Sequence, residues 1–402
     1  MRYAPSSSAR RRRTALAAAG MVAAMAFTTT ACEGSTDDKA DARSGAGASR
    51  AATHDAGGAG KVRIPADIAG RLKEHGIDAD RWKNGAWKNW DKDKWLSEAK
   101  DFVNPVIEGL WKPERMRSAK EANKTVTKDA AAGQGVSDPE PRPVPAEAER
   151  TPYHRNAAPV GKVFFDSPKG SMVCSGTVVK DVNHPGRSNL VWTAGHCVHA
   201  GGNGGWYRNL AFVPSYNDLG KSEAELRSAT TTEAAPYGTW WADWASTSNE
   251  WIRGGSESGG AGAAYDYAVL HVKPESGAKS LEETVGAALD VDFSAPSATE
   301  VASMGAWGYP AAPPYNGLKM FKCLDRPGRL ALSPSLPTMY RIGCTMTGGS
   351  SGGGWFRVVN GKTELVSNTS IGPVTNTWLA GPQLGKEAEA LYQNMSRAYG
   401  GR

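Results

Sequence analysis

Beyond residue 155 the chain alternates brief apolar runs with Gly, Pro and Asn. "GKVFF", "SMVCSGTVV", "NLVWTAG", "NLAFVPSY", "YAVLHV", "VASMGAWGY", "KMFKC", "MYRIGC", "WFRVV" and "ELVSN" are rich in β-branched or aromatic residues. Many short strands without intervening helices predict an all-β sandwich or barrel. The last run, "LGKEAEALYQNMSRA", switches to helical spacing and predicts a C-terminal helix. The texture before residue 155 differs. Residues 61–118 carry apolar residues at helical spacing, including Trp82, Trp87, Trp90, Trp95 and Trp111, and predict two or three short helices. Interleaved Lys and Asp make helix packing the plain account of these tryptophans. The extension then reads as a propeptide, or as an aromatic surface for glycan or membrane. Residues 33–60 have too few apolar side chains for a core and read as a flexible tether. Residues 119–154 are polar, with "SDPEPRPVPAEAER" as a Pro-rich linker.

Composition adds little to this picture, and the N-terminus adds more. Of 402 residues, 40% are hydrophobic and 22% charged, which suits a globular domain with polar flanks. The net charge of +6 includes Arg10 to Arg13, so it points to no nucleic-acid partner. Residues 1–32 read as an export signal. The arginines form a positive start, and Ala15 to Phe27 is an apolar run too short to span a bilayer. Small residues then end at Cys32, which resembles a bacterial lipoprotein signal. That resemblance implies lipidation of Cys32 and anchoring at the outer face of the membrane. Thr29 stands where a Leu is usual, and cleavage at a nearby Ala would release the chain instead. Both routes are extracellular. Cys174, Cys197, Cys323 and Cys344 then remain, an even number in an oxidising compartment. Three pairings are open, with neighbour pairing, Cys174 to Cys197 and Cys323 to Cys344, the expectation.

The candidate chemistry centres on "TMTGGSSGGGWF", Thr345 to Phe356. A Gly/Ser run alone is usually a loop. Gly349-Ser350-Ser351-Gly352-Gly353 also fits the nucleophile elbow G-x-S-x-G, whose fold places its His after the Ser. All seven histidines precede residue 349, so chain order excludes that elbow. The order His, Asp, Ser does occur. "LVWTAGHCV" carries His196 at a strand end, Asp266 precedes "YAVLHV", and Ser351 follows. His199 and His271 read as structural, and no metal-ligand cluster is evident.

These three stretches resemble the chymotrypsin-like, or trypsin-fold, serine peptidases, over roughly residues 155–395. The family's patterns are T-A-[AG]-H-C, D-[IY]-A-[LV]-L and G-D-S-G-G-P. "Cys174-Ser175-Gly176-Thr177" resembles the strand whose Cys bridges to the Cys after the His, which implies the pair Cys174 and Cys197. "Gly308-Tyr309-Pro310" looks like the bacterial glutamyl-endopeptidase branch. The resemblance implies two six-stranded antiparallel β-barrels with the C-terminal helix, in a peptidase domain at 155–398. It implies Ser351 as nucleophile, His196 as general base and acid, and Asp266 as orienting carboxylate. Gly349 and Ser351 would supply the oxyanion N–H groups, and Thr345, Ser370 and Gly372 the substrate pocket. The implied activity is hydrolysis of protein or peptide substrates by a monomer without metal or organic cofactor. Two positions depart from the pattern. Ser350 stands where the family has Asp, so it cannot pair with a new N-terminus, and Gly354 replaces a Pro. Ser350 alone speaks for the alternative, a catalytically silent peptidase fold used as a surface binding module. Thr345 and Thr369 lack the charges that select Lys, Arg or Glu, which implies a neutral, hydroxyl-lined pocket. Trp240, Trp241, Trp244 and Trp251 suggest an inserted surface loop, packed locally or bordering the cleft.

Overall fold

The computed structural model describes residues 62–63, 101–103, 106–107, 109–122, 125–126, 136–202, 204–256 and 259–400. The export signal, Cys32, the tether and the tryptophans at 82, 87, 90 and 95 lie outside the described residues. Among the described residues no helix is long and apolar enough to cross a membrane. The structure is mostly β.

Six antiparallel strands form a closed ring. They are β1 (Val160–Ser167), β2 (Gly170–Val179), β3 (Leu190–Thr193), β4 (Arg208–Pro214), β5 (Trp240–Thr247) and β6 (Ala268–Pro274). The ring order is β4-β1-β2-β3-β6-β5, and Ala211 and Phe212 of β4 close it onto Trp241 and Trp240 of β5. Closure pairs most of the strand edges, and short edge segments of β2 and β5 are taken by Lys120–Glu121 and Asp101–Val103. Val163, Val178, Val191, Leu210, Val269 and Leu270 are among its buried apolar residues.

β1 and β5 are buried along their whole length, which requires cover outside the ring as well as packing within it. Trp111 supplies part of that cover, its ring 5.3 Å from Phe164 and its Nε1–H donating to Asn209 O at 2.8 Å. The C-terminal helix α1 (Lys386–Tyr399) supplies another part, with Tyr399 stacked on Trp244 at 4.3 Å. The Trp-rich stretch expected as a surface loop is therefore mostly strand β5. Its tryptophans are barrel wall because β-propensity and double-sided burial agree there.

Beyond the ring come β7 (Asp290–Val291), β8 (Met304–Gly308), β9 (Phe321–Asp325), β10 (Gly328–Leu330) and β11 (Met339–Gly343). β12 (Gly354–Val359), β13 (Lys362–Asn368), β14 (Gly372–Pro373) and β15 (Trp378–Pro382) follow. One sheet runs β7-β13-β12-β8-β9 and ends on the strand Glu147–Ala148; another runs β10-β11-β15. Among the described residues, ladders do not show the expected second six-stranded barrel as a closed ring. β9 gives its outer edge to Glu147–Ala148, and the Gly343 N–H of β11 is taken instead by the Asp325 carboxylate at 2.8 Å. The β7–β13 pair is also parallel, not antiparallel. Met304, Ala306, Tyr340, Ile342 and Trp355 fill the core of this half.

Two expectations about the N-terminal part need correction. Of the helical extension, only Pro113–Ser118 is helix among the described residues, while Asp101–Val103 and Val106–Ile107 are strands. Asp101–Val103 gains its ladder from β5, so tertiary pairing overrides the helical spacing. The Pro-rich segment is not a free linker. Asp138 accepts from the backbone N–H and guanidinium of Arg329, and Thr345 N–H donates to Val144 O at 3.0 Å. Proline lacks an N–H for a ladder, so side chains and single backbone bonds hold this extended stretch.

Both neighbour disulfides form, Cys174–Cys197 and Cys323–Cys344. The second closes a loop with a sequence separation of 21. Replacing Cys323 and Cys344 together by Ala is expected to lower unfolding stability by about 3 kcal/mol, read from the urea midpoint.

Candidate active site

His196 sits on a 3-10 turn, Gly195–Cys197, directly after β3. The disulfide from Cys197 to Cys174 of β2 fastens that turn to the neighbouring strand. Asp266 follows a second 3-10 turn, Ala261–Tyr265, and precedes β6, which pairs with β3. The register Ala268↔Thr193 brings the two strand ends together. His196 N–H donates to Asp266 Oδ1 at 2.7 Å, and Asp266 Oδ2 lies 2.6 Å from His196 Nδ1. A carboxylate there holds the ring proton on Nδ1 and leaves Nε2 as the basic nitrogen.

Both residues are 0% exposed, so the carboxylate needs full hydrogen bonding. Ser370 Oγ–H donates to Asp266 Oδ2 at 2.5 Å, and Asn368 Nδ2–H donates to the Asp266 carbonyl at 3.0 Å. The second sheet system therefore holds the aspartate that the barrel presents. Trp251 lies 6.0 Å from the His196 ring, and a Cβ at Gly195 would meet its indole at 2.8 Å. Trp251 Nε1–H donates to His199 O, so the indole is fixed behind the imidazole. Sequence reading placed Ser370 only in the substrate pocket and missed Asn368 and the positioning by Trp251. Asn368 ends β13, and no local motif marks it.

Ser351 lies on the turn between β11 and β12, 4% exposed. Two glycines shape that turn. Gly352 has φ +76°, and a Cβ there would stand 2.2 Å from Thr193 Oγ1. Gly349 has φ +97°, with Tyr309 O at 2.6 Å from its would-be Cβ. The Gly348 carbonyl accepts from Ala311 N–H at 2.6 Å and Ala312 N–H at 3.2 Å. A trans peptide then directs the Gly349 N–H the opposite way. Ser350 ties the turn internally, its Oγ–H donating to Thr347 O at 2.7 Å. A neutral side chain thus closes the turn with no ion pair.

The nucleophile's own hydrogen bond is unexpected. Ser351 Oγ–H donates to Ala122 O at 3.2 Å, while His196 Nε2 is buried with no hydrogen-bond partner among the described residues. Ala122 belongs to the 119–154 stretch expected as a polar linker, and sequence reading gave no sign of it at the site.

The pocket beside Ser351 is lined by Met346, Thr347, Thr369, Ser370, Asn376 and Leu379, and no lining residue is charged. Thr345 is not among the lining residues. Its Oγ1 accepts from Ala146 N–H at 2.8 Å and so secures the Pro-rich segment. Gly372 is among the lining residues and is in register with Thr125, from the stretch expected as a linker. The sulfurs of Cys174 and Cys197 lie near His196, but their disulfide removes the thiolates a metal would need.

The other buried histidines pair locally. His271 Nδ1 lies 2.6 Å from Asp243 Oδ1, within the β5–β6 wall. His199 Nδ1 accepts from Gly201 N–H, and its ring meets Trp206 edge-on at 5.1 Å. Burial lowers the His199 pKa from 6.5 to about 4. The unfolded chain then binds a proton that the folded chain refuses between those values. Stability is expected to fall as pH drops from 6.5 toward 4, by at most about 1.4 kcal/mol per pH unit. Thermal melts across that range should show a shallower fall for His199→Asn.

No protein-family model matches the chain, and a comparison with curated proteins finds no match. Among solved structures, the chain is similar to the thermostable serine protease AL20 from an extremophilic microorganism. The two are 32% identical over 60% of this chain and 98% of that one, with a TM-score of 0.48. It is also similar to the protease Anisep from Arthrobacter nicotinovorans, 30% identical over 62% of this chain and 99% of that one, TM-score 0.48. A Glu endopeptidase in complex with MPD matches at 14% identity over 65% of this chain and 99% of that one, TM-score 0.44.

Proposed function

The chain belongs to the bacterial serine proteases of chymotrypsin fold, and on that premise we propose that it is an exported serine endopeptidase working through Ser351, His196 and Asp266. The buried His196–Asp266 pair, clamped through both carboxylate oxygens beside a Gly-bounded Ser351, is the observation that carries this reading. A Ser hydroxyl needs a base, and His196 Nε2 is the base whose tautomer Asp266 fixes. Ser351 Oγ attacks the peptide carbonyl carbon as Nε2 takes its proton. The N–H groups of Gly349 and Ser351 receive the resulting oxyanion. His196 then gives the proton to the leaving amine, the C–N bond breaks, and an acyl-enzyme remains. Water, deprotonated by the same Nε2, hydrolyses the ester and restores Ser351.

The two disulfides, together with the signal-like N-terminus, support an extracellular setting. Within it, Cys32 is the point at which a lipid would anchor the chain, and the peptidase acts as a monomer on peptide substrates. The uncharged pocket favours a small neutral side chain before the cut bond, since buried charged groups there would lack a partner.

Reaction of the full chain with a fluorophosphonate, carried to its endpoint and mapped by peptide mass, tests the nucleophile. The adduct is expected on Ser351 and absent from Ser351→Ala, with Ser350→Ala still modified. An unmodified parent at the endpoint would favour a silent binding fold. Asp266→Asn is expected to reduce kcat about 10⁴-fold, through loss of the productive tautomer. Cleavage of a peptide library is expected to follow small neutral residues; cuts mainly after Lys, Arg or Glu would refute the pocket assignment.

A further inference from the structure

The stretch that follows the extension meets the candidate active site. Lys120–Glu121 pairs in parallel with Met172 and Val173 of β2, and Ala122 N–H donates to Val173 O at 3.2 Å. Ala122 O then receives the Ser351 hydroxyl. Farther on, Thr125–Val126 pairs in parallel with β14, and Val126 is buried among Ala263, Leu330, Met339 and Ile371. The chain is therefore held on both rims of the cleft, with the nucleophile between them.

Upstream anchoring is stronger. Arg115 Nη2–H donates to both Asp166 oxygens at 2.7 Å, and its guanidinium lies 4.4 Å from the Trp111 ring. Arg117 donates to Leu226 O, and Met116 is buried. The helix Pro113–Ser118 is thus seated on the barrel next to the strand that enters the cleft.

We propose that Ala119–Ala122 and Thr125–Val126 form a built-in inhibitor, two short extended stretches that occupy the peptide-binding cleft in a pose the nucleophile cannot use. This rests on the serine-peptidase reading above. The chemistry of the pose is the reason. A substrate must offer its carbonyl carbon to Ser351 Oγ and its oxygen to the Gly349 and Ser351 N–H groups. Ala122 offers its oxygen to the hydroxyl hydrogen. That hydrogen is then directed away from His196 Nε2, which stays without a partner. The nucleophile is covered and disconnected from its base by the same contact. Each rim ladder is only two residues long and parallel, the less stable geometry per residue, so the strand is displaceable.

Two full-chain variants weaken the docked strand without altering the catalytic residues. Ala122→Pro removes the bond to Val173 O, and Val126→Asp places a charge among apolar side chains. The initial rate of fluorophosphonate labelling is expected to rise about tenfold or more in either variant, in proportion to the open fraction. A second readout needs no catalysis. In a Ser351→Ala background, a fluorescent peptide of residues 118–127 should bind the Ala122→Pro chain and not the parent. Equal labelling rates and equal peptide binding in parent and variants would overturn the inhibitor while leaving the peptidase reading intact. Peptide binding by the variants with no labelling of any form would sustain an occluded cleft and remove the catalytic reading. Accumulation of a chain beginning at Asn123, absent in Ser351→Ala, would make the strand a substrate and overturn the proposal.

Discussion

A carboxylate cannot stay buried in a protein without partners, and that of Asp266 has three hydrogen bonds, with a further one at its backbone carbonyl. Two come from His196, one from Ser370 and one, at its carbonyl, from Asn368. The histidine belongs to the closed barrel, and the other two residues belong to the following β half. The buried Asp266 carboxylate is thus one link between the two halves, beside the Trp192 Nε1–H bond to Asn368 Oδ1 and the Ser175 Oγ–H bond to Gly349 O. Disturbing either half would leave that charge short of a partner, so the fold's assembly and the site's geometry are one problem.

The backbone around Ser351 meets a different constraint. Related folds use an aspartate at the position of Ser350. Here the hydroxyl bonds within its own turn, and the Gly348 carbonyl is held by Ala311 and Ala312. The turn geometry therefore needs no incoming N-terminus to set it. What restrains the site instead is a segment that already occupies it, so any control acts on access more than on construction.

The strands and the His, Asp and Ser stretches were legible because their signals are local. "LVWTAGHCV", "AAYDYAVLHV" and "GGSSGGGW" each place one chemical group at a strand end or a Gly-bounded turn. The parts that were not legible depend on contacts distant in sequence. Ala122 reaches Ser351 across 229 residues, and nothing in "SAKEANKTV" advertises it. Trp240, Trp241 and Trp244 looked like a loop because Gly and Ser follow them, yet ring closure through Ala211 and Phe212 makes them strand. The second half looked like a barrel by resemblance. Among the described residues its ladders form two sheets, and Glu147–Ala148, from a Pro-rich stretch, pairs with β9.

The strand in the cleft is covalently joined to the protein it covers, and its concentration there is set by chain geometry, at the millimolar level typical of short linkages and unaffected by dilution. The two short parallel ladders alone would be negligible between separate molecules, yet beside the anchored helix Pro113–Ser118 they suffice within one. Were the join to those anchors to be lost, the same contact would face only its bulk concentration. Weak pairing thus gives a tight block while the strand stays joined to its anchors, and one that dissipates when it is cut free of them.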